Sequence, residues 1–201
     1  MTDDRLVARL VASTCATIER HAEELTALDQ AIGDGDHGTN LKRGFKAIAD
    51  EAADYGRMDF GSALRKAGMV LVMKVGGASG PLFGSALMDM GKIAAEQPRT
   101  SAQAATLLQA AVDAIKKRGK SNIGAKTMLD VLVPVQAAVA DSGDIARIRV
   151  VADVALEATR PMRATKGRAA FLGERSVGHL DPGARSTTLL VHAVCDVLEG
   201  I

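Results

Sequence analysis

Aromatic side chains are scarce in this chain: it has no Trp, one Tyr and four Phe in 201 residues. A core must then be built from Ala, Leu, Val and Met, which suits close-packed helices. The same scarcity disfavours a nucleic-acid surface, because such surfaces stack bases on aromatic faces. Net charge is lacking too. Lys and Arg number 25 against 24 Asp and Glu, so no field of one sign draws the chain to nucleic acid or to a membrane. The two cysteines, Cys15 and Cys195, have no CxxC or His-rich partner and read as buried free thiols in a reducing cytoplasm. The longest apolar run, Met69 to Met73, is too short to span a bilayer and lies between Lys66 and Lys74. Met1 to Arg5 lacks the apolar stretch of a signal peptide. The expectation is a soluble cytoplasmic protein with one domain over residues 1–201.

What is present is concentrated between Leu28 and Asn40. Asp29, Asp34 and Asp36 are interleaved there with Gly33, Gly35 and Gly38. Carboxylates gathered so closely repel one another and call for a compensating cation. An oxygen-only set suits Mg²⁺, which binds through a few carboxylates together with substrate phosphates. Thr39 or Asn40 can cap a following helix with Leu41, Phe45 and Ile48 on its apolar face. The N-terminus of that helix would draw phosphate oxygens to the same corner as the metal. An ordinary solvated turn has similar composition and stays open as the alternative. A calcium-binding EF-hand is excluded: with Asp34 as position 1, position 12 is Phe45 where a bidentate Glu is required.

Periodicity predicts about eight helices and no strand. The first runs to about Leu28 behind a cap at Thr2, Asp3 and Asp4. Others follow over Asn40–Asp54, Phe60–Val75, the stretch after Gly80 to about Glu96, and Ala102–Arg118. A helix from Thr127 is kinked or broken at Pro134. The last two cover Ile145–Arg160 and Ser186–Leu198. Gly76-Gly77-Ala78-Ser79-Gly80-Pro81 precedes the fourth helix. Such a turn either offers backbone N–H groups and the Ser79 hydroxyl to an anion or is an interhelical turn with Ser79 as a plain N-cap. Gly119-Lys120-Ser121 and Gly124-Ala125-Lys126-Thr127 lack the upstream glycine and the strand of a phosphate-binding P-loop. Pro161 to Arg185 is too long for a simple connection. Its Arg163, Lys166, Arg168, Arg175 and Arg185 suit a lid over a polyphosphate, or else a solvated surface loop. Phe171, Leu172, Val177 and Leu180 argue that this loop is ordered.

These stretches together resemble the nucleotide-binding L subunit, or L domain, of dihydroxyacetone kinases. The likeness rests on Gly33-Asp34-Gly35-Asp36-His37-Gly38, on Gly76 to Gly84, on Lys126-Thr127-Met128-Leu129-Asp130, and on Gly167-Arg168 through Gly183, in the family's order and over nearly the whole chain. It implies an all-α barrel of about eight antiparallel helices, with the nucleotide site at one end and a long lid-like loop before the last helix. It implies that Asp29, Asp34 and Asp36 hold two Mg²⁺ ions. It also implies that ADP or ATP contacts His37, Gly38, Thr39, Asn40, Ala78, Ser79, Gly119, Thr127, Met128, Arg175, Asp181, Pro182 and Gly183. Arg175 would counter charge on the transferred phosphoryl group; His37 would contact nucleotide or, as the minor alternative, act as a nucleophile.

By the same resemblance the chain is half of a kinase. A separate K subunit carries dihydroxyacetone or another small keto-sugar such as erythrulose and docks over the nucleotide end. The phosphoryl donor is either free ATP or ADP rephosphorylated by a phosphotransferase-system phosphocarrier, and a homodimer is left open. No nucleic-acid or membrane partner is expected. The rival is a non-catalytic L-like module that senses nucleotide and regulates a transcription factor by docking.

Overall fold

The structure, a computed structural model, describes residues 5–94 and 96–200. Among these residues the chain forms ten α-helices, one 3-10 segment and no strand. They are α1 (Leu6–Arg20), α2 (Ala22–Ile32), α3 (His37–Ala49), α4 (Ala52–Tyr55), α5 (Phe60–Lys74), α6 (Ser79–Ile93), α7 (Ser101–Gly119), α8 (Leu129–Asp141), α9 (Ile145–Ala158) and α10 (Pro182–Glu199). The 3-10 segment is Arg168–Ser176.

Side-chain caps fix several starts. Asp59, Thr100, Asp144 and Asp181 accept backbone N–H groups at the heads of α5, α7, α9 and α10, each offsetting an otherwise unpaired donor. Capping at Thr2 to Asp4 lies outside the described residues. Five features differ from the periodicity reading. His21 separates α1 from α2, and α2 continues to Ile32, so Asp29 is helical. Helix α3 starts at His37 rather than behind a Thr39 or Asn40 cap. Helix α5 ends at Lys74 with Val75 extended, and the left-handed residue is Gly77. Helix α8 runs through Pro134 without a break. Helix α10 begins at Pro182, a full turn early, because Asp181 caps it and Pro182 takes the first position.

The helices close into a ring. Helix α1 packs on α3, α3 on α5, each helix from α5 to α10 on the next, and α10 on α1. Counting α1 and α2 together and setting aside the single-turn α4, this is the expected eight-helix barrel. Its inner wall is Leu41, Phe45, Ile48, Leu71, Phe83, Val112, Ile115 and Leu129 on one side, and Val131, Val135, Ile148, Ala152 and Leu156 on the other. Tyr55 is fully buried against the first group. No helix among the described residues is long and apolar enough to cross a membrane.

Helices α5 and α6 touch backbone to backbone. A Cβ at Gly84 would lie 2.6 Å from the Gly68 carbonyl, and one at Gly68 would lie 2.6 Å from the Gly84 carbonyl. Gly91 faces Gly61 in the same way one step further along. Gly84→Ala should therefore force these helices apart and lower stability by about 1–3 kcal/mol, read as a lower urea midpoint. An unchanged midpoint would show that the close approach is unnecessary.

Candidate functional site

The acidic turn between α2 and α3 gathers its carboxylates. One oxygen each from Asp29, Asp34 and Asp36 lies within 4.8 Å of the others. Asp29 is buried, and Asp34 and Asp36 are exposed. Asp29 is held from two sides: its Oδ2 accepts the N–H of Asp36 at 2.9 Å and of His37 at 3.1 Å. Residue 33 has to be glycine, since a Cβ there would overlap Asp29 Oδ1. The donor set is therefore three carboxylates, one preorganised and two open to solvent, which fits a hard divalent cation that keeps water ligands. Among the described residues the balancing cation is Arg168, whose Nε lies 3.0 Å from Asp34 Oδ2.

His37 joins three helices. Its Nδ1 lies 2.9 Å from Ser79 Oγ at the head of α6, and its Nε2 lies 3.0 Å from Ser186 Oγ in α10. Ser186 donates its own proton to the Gly183 carbonyl, so Nε2 carries the ring proton and Nδ1 accepts from Ser79. Burial lowers the pKa of this ring against the opposing pull of Asp29 and Asp36. A neutral imidazole with both nitrogens engaged is a brace between helices.

That brace shows where the helix starts lie. The N-termini of α3 and α6 meet at His37, and α10 joins them through Ser186. The head of α8 is adjacent, because a Cβ on Gly183 would lie 3.6 Å from the Met128 nitrogen. These are alternate staves of the ring, so four positive helix ends share one end of the barrel. Among the described residues the N–H groups of Gly38 and Thr39 in α3, and of Ser79 and Gly80 in α6, have no hydrogen-bond partner. Gly38 has a packing duty as well: a Cβ there would strike the Ala22 carbonyl and the Thr26 hydroxyl of α2.

The remaining predicted residues surround this end. Gly76 sits against the side chain of buried Asn40, which accepts from Arg43 at 2.7 Å. Ala78 is the N-cap of α6. Gly119 closes α7 beside Leu82 of α6. Thr127 and Met128 lead into α8, where buried Asp130 accepts the N–H groups of Gly124 and Thr127. Asp181, Pro182 and Gly183 form the cap and first turn of α10 rather than loop.

The late segment straps across this end. Ala164, Ala169 and Leu172 pack on Ile32 at the end of α2, while the Thr165 N–H bonds the Ala125 carbonyl at 3.2 Å. Of its basic residues, Arg163 pairs with Glu174, Arg168 with Asp34 and Arg185 with Glu24. Arg175 is exposed and has no ion-pair or hydrogen-bond partner among the described residues. The segment is ordered, as its apolar residues suggest: Leu172 and Leu180 pack, while Phe171 is 86 % exposed and Val177 also faces solvent. Sequence reasoning missed Lys126, Asp130 and Ser186 as site-building residues.

Asp181 is the most perturbed carboxyl here. Burial pushes it up to about 7, and Asp130 and Asp29 add to the rise against the Ala184 N–H and Lys126. The unfolded chain gives up this proton near pH 4. Between there and about 7 the folded state binds the extra proton, so the stability due to Asp181 falls as pH rises and is level above that window. Asp181→Asn keeps a cap acceptor without the charge. In nucleotide-free protein its stability relative to wild type should rise by a few kcal/mol between about pH 4 and 8. A difference that is constant with pH in chemical denaturation would refute this.

The DAK2 domain matches residues 31–196. The chain is 44% identical over 177 residues to the ADP-binding subunit DhaL of PEP-dependent dihydroxyacetone kinase 1 from Listeria innocua, covering 88% of each chain. It is 40% identical over 187 residues to the ADP-binding subunit DhaL of the PTS-dependent dihydroxyacetone kinase of Lactococcus lactis, covering 90% of this chain and 91% of that one. Among solved structures, the dihydroxyacetone kinase from C. freundii in complex with AMP-PNP and Mg²⁺ matches with a TM-score of 0.80 at 22% identity. That match covers 95% of this chain and 33% of the C. freundii chain, and it shows a shared fold.

Proposed function

The chain belongs to the DAK2-domain family of dihydroxyacetone kinase L subunits, and from that premise we propose that it is the nucleotide-holding half of such a kinase. In this reading residues 1–201 form one L-type domain in the cytoplasm. It passes a phosphoryl group to dihydroxyacetone or a similar keto-sugar held on a separate K subunit. The observation that carries the reading is the set of three carboxylate oxygens within 4.8 Å beside the heads of α3 and α6. Asp29, Asp34 and Asp36 would hold Mg²⁺, two ions by the family resemblance. When bound, the metal neutralises phosphate charge and orients the phosphates.

The chain's own residues do the rest. Phosphoryl transfer asks for positioning and charge stabilisation more than for covalent chemistry. Unpaired N–H groups in the first turns of α3 and α6 supply phosphate donors. His37 holds these two turns and α10 in register, and its engaged ring nitrogens argue for that role over a nucleophile's. Thr39, Asn40, Ala78, Gly119, Thr127, Met128 and Asp181 to Gly183 line the nucleotide's surroundings. Arg175 has no partner among the described residues and is available to a phosphoryl group.

Likeness over about nine-tenths of separate ADP-binding subunits with PEP- or PTS-dependent names supports the version in which ADP stays bound and is rephosphorylated by a phosphocarrier. The test is product formation from dihydroxyacetone with a K subunit and either phosphoenolpyruvate plus phosphotransferase components or free ATP. Phosphorylated product from the first mixture alone is expected. ADP binding without product from either mixture would favour the nucleotide-sensing module.

A further inference from the structure

A lysine beside a phosphate site is ordinarily read as a phosphate ligand. Lys126, one residue before Thr127, is spent elsewhere. It is 1 % exposed, and its Nζ lies 2.5 Å from the Ser176 carbonyl, 3.0 Å from Met162's and 3.5 Å from Arg160's. An ammonium has three protons and no acceptor, so three converging carbonyls exhaust it. Its backbone is left-handed, with φ +60°, a conformation side-chain-bearing residues rarely adopt. Something local has to repay that conformation, and the carbonyl bonds do.

The carbonyls come from both ends of the strap. Arg160 and Met162 stand where it leaves α9, and Ser176 stands where it returns. Two further ties cinch the same waist: the Gly178 N–H bonds the Arg160 carbonyl at 2.8 Å, and the Ala164 N–H bonds Ser176 Oγ at 2.9 Å. Ser176 is fully buried and follows Arg175 directly. The backbone at Ser176 therefore fixes where the Arg175 side chain starts, and Lys126 fixes that backbone to the turn that leads into α8.

We propose that Lys126 is a positioning residue for phosphoryl transfer, its ammonium gathering the Met162 and Ser176 carbonyls so that the strap presents Arg175 at the nucleotide end. This rests on the functional reading above. No neutral side chain brings three donors to one point, and arginine's planar fork spreads its donors, so neither methionine nor arginine should replace it.

The test compares Lys126→Met, Lys126→Arg and Ser176→Ala with wild type in the assembled kinase. For both Lys126 variants we expect turnover to fall about 10- to 100-fold, with ADP affinity in Mg²⁺ changing by less than about threefold. Ser176→Ala leaves Lys126 intact but unties Ala164, and should show the same split to a smaller degree. Amide exchange over residues 168–178 of the isolated protein should quicken in all three. That readout needs no nucleotide, so it reports on the tie even where the functional reading fails. Unchanged turnover in Lys126→Met, or equal losses of turnover and ADP affinity, would overturn the proposal. If Lys126→Met does not fold, unchanged turnover in Ser176→Ala overturns it.

Discussion

Asp34→Ala should weaken Mg²⁺-dependent ADP binding by at least about 100-fold while leaving helix content and thermal midpoint within experimental error of wild type. The asymmetry follows from how each aspartate is held. Asp34 is exposed, and its side chain's one ion pair among the described residues is a surface pair with Arg168, of a kind that contributes about 0–1 kcal/mol. Losing one of three carboxylates, by contrast, removes a charged ligand from a cation. Asp29→Ala should lose binding and stability together, because Asp29 also caps α3 through the N–H groups of Asp36 and His37. Such caps typically contribute ~1 kcal/mol, and two donors would be stranded near the barrel end. Calorimetric titration of ADP with denaturation curves separates the two variants. Full ADP affinity in Asp34→Ala would remove the metal site from the account.

The second large effect is expected at Arg175. Its alanine variant should slow phosphoryl transfer by about 10²–10³-fold, the cost typical of losing one group aimed at developing charge. ADP affinity should change far less, because an interaction that strengthens in the transition state is mostly invisible to ground-state binding. Stability should be unmoved, since Arg175 is exposed and unpaired among the described residues. Arg163→Ala is the matched control on the same strap: its partner is Glu174, and its turnover should stay near wild type. Turnover and ADP affinity lost in equal measure at Arg175 would make it a clamp on the bound nucleotide.

The residues that gather charge were legible because their chemistry is local in sequence. Three aspartates within eight positions can be brought to one point by a single turn, and the structure does so. The all-helical class was legible because apolar residues recur at helical spacing and aromatics are few, whereas the closing of those helices into a barrel was implied by the family resemblance alone. Helix starts were harder. Asp181-Pro182-Gly183 reads as a turn, yet Asp at the cap with Pro next is equally a helix head. The signal was present, and the glycine obscured it. Helical periodicity runs through the glycines of α5 and α6 but gives those glycines no role. Gly68 and Gly84 sit in helix interiors, where their missing side chains let two backbones meet.

Residues whose roles depend on distant partners left no such trace. Ser186 meets His37 across 149 positions, and Lys126 meets Ser176 across 50. Nothing in their neighbourhoods marks one as a histidine's acceptor or the other as a tie between carbonyls. The late segment divided similarly. Its basic character was plain, but only the fold separates Arg175 from residues already paired with acids, and turns Phe171 outward while Leu172 packs against Ile32.

The most direct measurement of the central claim is equilibrium binding of ADP to the protein, first with excess Mg²⁺ and then after chelation. One ADP per chain with Mg²⁺, and little or none after chelation, is the predicted result. Equal binding in both conditions, or none in either, would contradict the assignment of Asp29, Asp34 and Asp36 to a metal–nucleotide site.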